Sequence, residues 1–446
     1  MSTTSMRAGF GKVEISASVI GAKLQGYPHR VGEALSVNDP LFVRALVLEC
    51  GEDRVAICSV DLMAVNEDVV AAARVRIARE VGIPSARVFV SATHTHSAPF
   101  DNDERCWPDG LDAKIAEAVG QAFQRLAEAR LGVGWGMLHG PAFNRRRLEN
   151  PVDPSVFVLR IDDSDGAPLG VYYGYACHPV VLGADSLLVS ADWPGCSSRM
   201  LESELGPEAV AVFGQGACAD VNPLTDGVRR SMAAARTVQG LAVGTSYYGG
   251  VDGEIDAFDV GERNGGKVAE LEPLGRAVAQ EVLNVHRGIA TEDVRGLWTR
   301  QIAIARTGTP TLDGDDDAGS ADGSPAPPPH SWYRDDAAHS APRAGADVPL
   351  ELMLIGIDGP GVVLVGQPGE VFAETGAVLR QALRSAGVRH PYVVGYANGW
   401  RGYLSPGEAY PDGGYEVNWA RWVGLSQTLQ DDIRQLVVQA AVPEGV

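Results

Sequence analysis

Nine histidines are spread over 446 residues, yet two of them stand one residue apart in Ser91-Ala-Thr-His-Thr-His-Ser-Ala-Pro99, directly after an apolar run. In extended chain successive side chains alternate, so His94 and His96 would share one face. Pro99 stops further strand pairing. Two imidazoles on one face suit a metal, or one ligand beside one acid–base group. A pair of hydrogen-bonded loop histidines is the plainer alternative. A second apolar run, Val171-Tyr-Tyr-Gly-Tyr-Ala-Cys-His178-Pro179, also ends in His followed by Pro. Two such ends in a chain poor in His ask for a common explanation. Catalytic zinc takes three protein ligands of N or O type and keeps one position for water. Glu370 in Val365-Gly-Gln-Pro-Gly-Glu370 is a candidate oxygen ligand; a carboxylate opening a helix and facing its dipole is the alternative.

These residues need a scaffold of strands. Leu41–Cys50 and Val55–Val60 read as a hairpin turning at Gly51–Arg54. Asn66–Val81, Asp112–Arg130, Pro273–Arg287, Val371–Ser385 and Trp419–Gln439 have helical spacing. Strands are predicted at Arg87–Ala92, Gly132–Met137, Ser155–Ile161, Leu169–Ala176, Ala209–Phe213, Leu350–Ile357, Val362–Val365 and Tyr392–Tyr396. Hairpins mixed with crossovers imply an α/β fold of mixed α+β character: a mixed β-sheet core flanked by helices, in one large catalytic domain spanning 1–446. Open sheets of this kind place their sites at the carboxyl ends of strands. Residues 307–347, rich in Gly, Pro, Asp, Ala and Ser, bury too little apolar area to offset ordering entropy and read as a mobile insertion, either linker or lid.

Composition is that of a globular protein, 45% hydrophobic and 21% charged, with a formal net charge of −20. So acidic a chain disfavours nucleic acid and anionic membranes as partners. No run of about 18 apolar residues occurs, so no spanning helix is expected. The start lacks an apolar signal segment behind a basic one, which makes the cytoplasm the expected compartment. Six scattered cysteines without a CxxC read as thiols, not a disulfide framework.

Set in order, the motifs resemble those of the neutral (non-lysosomal) ceramidases, from about Gly9 to the chain's end. Ser91–Pro99 matches that family's SATHTHSGP with Ala98 for Gly, and Cys177-His178-Pro179 matches its VHP. Asn144-Arg145 keeps the first half of its NRSP. Val189-Ser-Ala-Asp192-Trp-Pro-Gly195 is similar to SSDNxGxA, and Ala219-Asp220-Val221-Asn222-Pro223 to GDVSPN. Pro368-Gly369-Glu370 matches PGE, and Asn398, Tyr403, Tyr410, Tyr415 and Glu416 keep the family's late spacing. The resemblance implies a Zn²⁺ cofactor held by His94, His178, Glu370 and Tyr403. It implies His96 as proton carrier or substrate contact, and Arg145 and Tyr415 as donors to the substrate carbonyl oxygen. Arg146, Asp220 and Asn222 would line the substrate. Two imidazoles, a carboxylate and a phenolate form a donor set suited to zinc.

Three departures matter. Asn222 replaces the family's Ser, which argues for direct attack by zinc-bound water or for a changed substrate contact. Arg145-Arg146-Arg147 replaces Arg-Ser-Pro; it would recognise a carboxylate or phosphate, or be a solvated charge run. No counterpart of the family's C-terminal β-sandwich is expected, which disfavours ceramide in membranes as substrate. The expected activity is zinc-dependent hydrolysis of a linear amide, on a small N-acyl compound or a lipid amide. Alternatives are a zinc-dependent esterase or lactonase, and a non-catalytic zinc-stabilised binding module; a homo-oligomer is compatible with all three.

Overall fold

Strand β1 (Met6–Glu14) runs through the middle of an eight-stranded mixed sheet. The other strands are β2 (Phe42–Cys50), β3 (Asp53–Val60), β4 (Val88–Ala92), β5 (Ala127–Met137), β6 (Ser155–Asp163), β7 (Pro168–Tyr175) and β8 (Val210–Gln215). The order is β8-β7-β6-β5-β1-β2-β3-β4. Only the outer pairs, β7 with β8 and β3 with β4, are parallel. A second sheet follows the order β9 (Gly296–Ile304), β10 (Leu350–Asp358), β11 (Val362–Gly366), β12 (His390–Val394). The computed structural model describes residues 6–27, 30–230, 267–304 and 349–442; the 307–347 insertion lies outside them.

Strand alternation builds the layers. In β2, Leu46 and Leu48 join a core with Met353, Ile355 and Ile357 of β10, so the two sheets face each other. The alternate residues Val43, Ala45 and Val47 pack with Ala118 and Val119 of helix α2 (Leu111–Gln124), which lies beside α1 (Glu67–Glu80). Val156 and Val158 of β6 meet α3 (Asp192–Leu205) and α4 (Val268–Gly288). Leu352 and Leu354 face α5 (Ala373–Ser385) and α7 (Leu429–Ala441). Helices thus cover both outer faces of two stacked sheets, which is the expected mixed α/β architecture.

Several boundaries differ from those expected. Helix α2 stops at Gln124 because Ala127 and Glu128 pair with Ala8 and Arg7 of β1; sheet pairing overrides helix propensity there. The closing helix is two, α6 (Tyr415–Trp422) and α7, parted at Gly424, whose φ of +70° breaks the helical path. Glu370 does not open a helix. Its amide donates to Gly402 O at 2.8 Å, and Glu370–Val371 pairs parallel with Tyr403–Leu404. Strand β1 escapes notice in the sequence because Gly9 and Gly11 interrupt its apolar pattern. They are needed there: a Cβ on either would lie 2.1 Å from a carbonyl of α2.

Candidate metal centre

Histidines 94 and 178 follow the carboxyl ends of β4 and β7. The edges of the large sheet come together, β8 touching both β3 and β4, and bring the two ends side by side. His94 is not in extended chain. Its φ of +70° is left-handed, so its ring and that of His96 meet by a bend and not by strand alternation. Their Nε2 atoms lie 3.1 Å apart.

Each ring is pinned on its outer side. His94 Nδ1 lies 2.7 Å from Met63 O, and His178 Nδ1 2.6 Å from Cys218 O. A carbonyl only accepts, so each Nδ1 carries the hydrogen and each Nε2 is left with a lone pair. Both Nε2 atoms face Glu370 Oε2, at 3.7 Å from His94 and 3.3 Å from His178. Two ligands about 2.1 Å from a tetrahedral ion are about 3.4 Å apart. His178 Nε2, fully buried, has no hydrogen-bond partner among the described residues. An orphaned lone pair beside a carboxylate fits a cation between them.

Charge state agrees with this geometry. Burial is the largest influence on all three imidazoles: it drives His94 down to about 3, and His96 and His178 well below the ordinary value. They are therefore neutral ligands or bases at neutral pH. Burial also raises the Glu370 carboxyl, against the pull of His94 and Arg145. His94, His96 and His178 also form a cluster whose ligand atoms lie within 4.8 Å of one another. His96 is thus near enough to ligate as well as to carry protons.

The phenol comes from the register of the short strand pair, which sets Tyr403 directly opposite Glu370. Its hydroxyl accepts from Arg145 Nη2 at 2.9 Å. Arg145 lies just past Ala142–Asn144, which pairs with Val221–Pro223, and its own amide donates to Asp220 O. Its Nε donates to Glu416 Oε1 at 2.9 Å and its Nη1 to Asn222 Oδ1 at 3.3 Å. Asp220 is tied by Asn144 Nδ2 at 2.7 Å and by the Ala373 amide at 2.9 Å, which makes it a brace for this corner. Tyr415 packs edge-on against Tyr403, with ring centroids 5.3 Å apart.

Arg146 does not reach out for an anion. Its Nη1 donates to Glu416 Oε2 at 2.7 Å and its Nη2 to Gly413 O at 2.8 Å. Arg147 pairs with Asp412 at 2.9 Å and is half-exposed. Most of the residues singled out in the sequence thus converge, but the Arg run is turned toward the protein's own acids.

Four contributors received no role from the sequence. Glu416, buried at 1% exposure, joins Arg145 to Arg146. Gln215 Nε2 donates to Cys177 O at 2.9 Å and lies 3.4 Å from Thr93 O, spanning the residues just before both histidines. Tyr396 stacks on His94, ring centroids 3.9 Å apart and planes 22° from parallel. The Met63 carbonyl, which pins His94, has no side-chain signature at all. Tyr396 lies just beyond a strand end, as the histidines do, but its residue type alone does not mark it.

A mixed α/β scaffold of two stacked sheets, with a buried His-His-Glu-Tyr cluster of metal-ligating type, defines the class. The same architecture appears in the crystal structure of the neutral ceramidase of Pseudomonas aeruginosa, with a TM-score of 0.74 at 21% identity, covering 98% of this chain and 74% of that one. A structure described as ceramidase complexed with C2 matches with a TM-score of 0.73. In sequence, the chain is 24% identical to the neutral ceramidase of P. aeruginosa over 478 residues, 92% of this chain and 68% of that protein. It is 25% identical to neutral ceramidase B of Dictyostelium discoideum over half of its own length and 36% of the relative's. No family model matches the chain. The neutral ceramidases are homologues of this chain, and the resemblance read from its motifs extends to the fold.

Proposed function

We propose that this chain is a zinc-dependent amidohydrolase of ceramidase type, acting on a linear N-acyl compound. The observation that carries it is the pair of inward Nε2 lone pairs, each fixed by a backbone carbonyl on Nδ1 and both facing Glu370 Oε2. Zinc would be held by His94, His178, Glu370 and Tyr403, and would supply Lewis acidity and water whose pKa is lowered to about 7. That its relatives are ceramidases supports an amide as substrate.

The chain's own groups do the rest. Arg145, fixed on three sides by Glu416, Asn222 and Tyr403, stands with Tyr415 to meet the carbonyl oxygen as negative charge grows on it. Donors aimed in advance at that charge are among the strongest contributions to rate. His96 is neutral and its Nδ1 is buried without a partner among the described residues. It takes up a proton at a ring nitrogen and returns it to the departing amine nitrogen, so that amide and water leave as acid and amine.

Metal content of purified protein, beside His94→Ala, tests the centre. Hydrolysis of a fluorogenic N-acyl sphingosine, a short N-acyl amino acid and their ester analogues tests the chemistry. About one zinc per chain, lost in the variant, and cleavage of an amide are expected. A wild type without metal, or one cleaving only the esters, overturns the reading.

A further inference from the structure

The segment Gly395–Asn398 ties the strand end before His94 and the turn before Glu370 to each other and to the end of β8. Gly395 donates from its backbone N–H to Gln215 O, at the end of β8, at 3.0 Å. Ala92, the last residue of β4 before the His94 loop, donates to Tyr396 O at 3.1 Å, and Asn398 donates to Val90 O at 2.7 Å. On the Glu370 side, Tyr396 donates to Gly369 O at 3.0 Å and Ala397 to Gln367 O at 2.9 Å. Two residues of this segment, Tyr396 and Asn398, have left-handed φ of +55° and +59°. A bulky aromatic rarely adopts that backbone, and such residues persist only where their surroundings over-determine them.

The Tyr396 side chain shows what the conformation achieves. The ring lies flat on the His94 imidazole. The hydroxyl is 3.4 Å from Glu370 Oε2, the oxygen that faces both histidine Nε2 atoms. It also lies 3.3 Å from Cys218 Sγ, and the carbonyl of Cys218 is what pins His178 Nδ1. A phenol has one hydrogen to give and lone pairs to accept with. Giving its hydrogen to the carboxylate leaves the oxygen free to accept from the thiol. Phenylalanine would fill the same space, so the hydroxyl, buried with the ring at 1% exposure, is there for these partners.

We infer that Tyr396 is a positioning residue of the metal centre: its ring fixes the plane of His94, and its hydroxyl orients the ligating oxygen of Glu370. This rests on the zinc site proposed above. Outer partners of metal ligands are typically worth about 10- to 100-fold in affinity. The test is zinc affinity by competition with a fluorescent chelator, beside the melting temperature of the chelator-stripped protein, for wild type, Tyr396→Phe, Tyr396→Leu and His94→Ala. Tyr396→Phe keeps the stack and is expected to bind zinc about tenfold more weakly. Tyr396→Leu loses the stack too and should fall further. The stripped Tyr396→Phe protein should melt with the wild type, which a merely structural hydroxyl would not allow. Wild-type affinity in both Tyr396 variants, with zinc lost in His94→Ala, overturns this inference and leaves the centre standing. A loss of affinity in Tyr396→Phe matched by an equal loss of stability in the stripped protein also overturns it. A wild type that binds no zinc overturns the centre and this inference together.

Discussion

The two halves of the candidate site are built by opposite rules. On the side of His94, His178 and Glu370, the outer nitrogens of both rings are held by backbone carbonyls while the inner atoms face Glu370, His178 Nε2 without a partner among the described residues. On the side of Arg145, Arg146 and Glu416, both oxygens of the buried carboxylate are matched by guanidinium nitrogens at 2.9 and 2.7 Å. On the reading proposed above, zinc completes the first half. The second is complete in itself, and its work is to hold Arg145 still. Burying an ion pair adds little net stability, but removing one partner is expensive, so such a pair is better at fixing geometry than at strengthening a fold.

The contrast can be broken, beginning with the largest effect. His178→Ala should take zinc content and hydrolysis to background together; activity surviving metal loss would show that the open half is not where the chemistry lies. His96→Ala should keep zinc and lose about 100- to 10,000-fold in rate. Loss of zinc in that variant would instead make the centre a three-histidine one, which the clustering of these rings also permits.

Glu416→Gln tests the closed half. It leaves two buried guanidiniums facing an amide and should cost about 3–5 kcal/mol in urea denaturation at neutral pH. Arg145 and Arg146, opposed by burial, hold the Glu416 carboxyl below its usual 4.5. Its charge therefore stabilises the fold above that value, and the contribution is lost as pH falls through the lower folded value. The gap between wild type and variant should accordingly close on acidification below about 4.5; a gap independent of pH would assign the cost to packing. Arg146→Ala should be the mildest, a loss of about 1–3 kcal/mol with zinc retained. If Arg146→Ala instead raises KM for an anionic substrate and leaves stability unchanged, the Arg run is a recognition element after all.

Residue types at strand ends made the two histidines legible as candidate ligands, and the resemblance to the ceramidases added Tyr403 to them. His94, His178, Glu370 and Tyr403 lie far apart in sequence, but each is a chemically distinctive side chain placed next to a strand or turn signal. The supporting shell was not legible for two physical reasons. Backbone carbonyls such as those of Met63 and Cys218 exist in every residue, so nothing in the sequence marks the ones that pin a ring. Gln215 and Tyr396 are ordinary residues at strand ends, and only the meeting of the sheet's edges gives them their neighbours. For the fold, β2 and β3 stood out because an apolar alternation flanked a turn. Helix α3 did not, because it begins with Asp192-Trp-Pro-Gly, which reads as a turn; nor did β9, an edge strand whose Arg300 and Gln301 are exposed.

Among the described residues, four that are not glycine have left-handed backbone: His94, Asp192, Tyr396 and Asn398. Three sit in the segments that build the centre. The fourth, Asp192, receives the amides of Val181 and Leu182 just beyond His178. Glycine would adopt all four conformations without resistance, whereas each ordinary side chain there gives up about 1–3 kcal/mol. At Tyr396 that strain is outweighed, because removing a buried aromatic ring costs about 3–5 kcal/mol; the rings that shape the centre also hold its strained backbone in place.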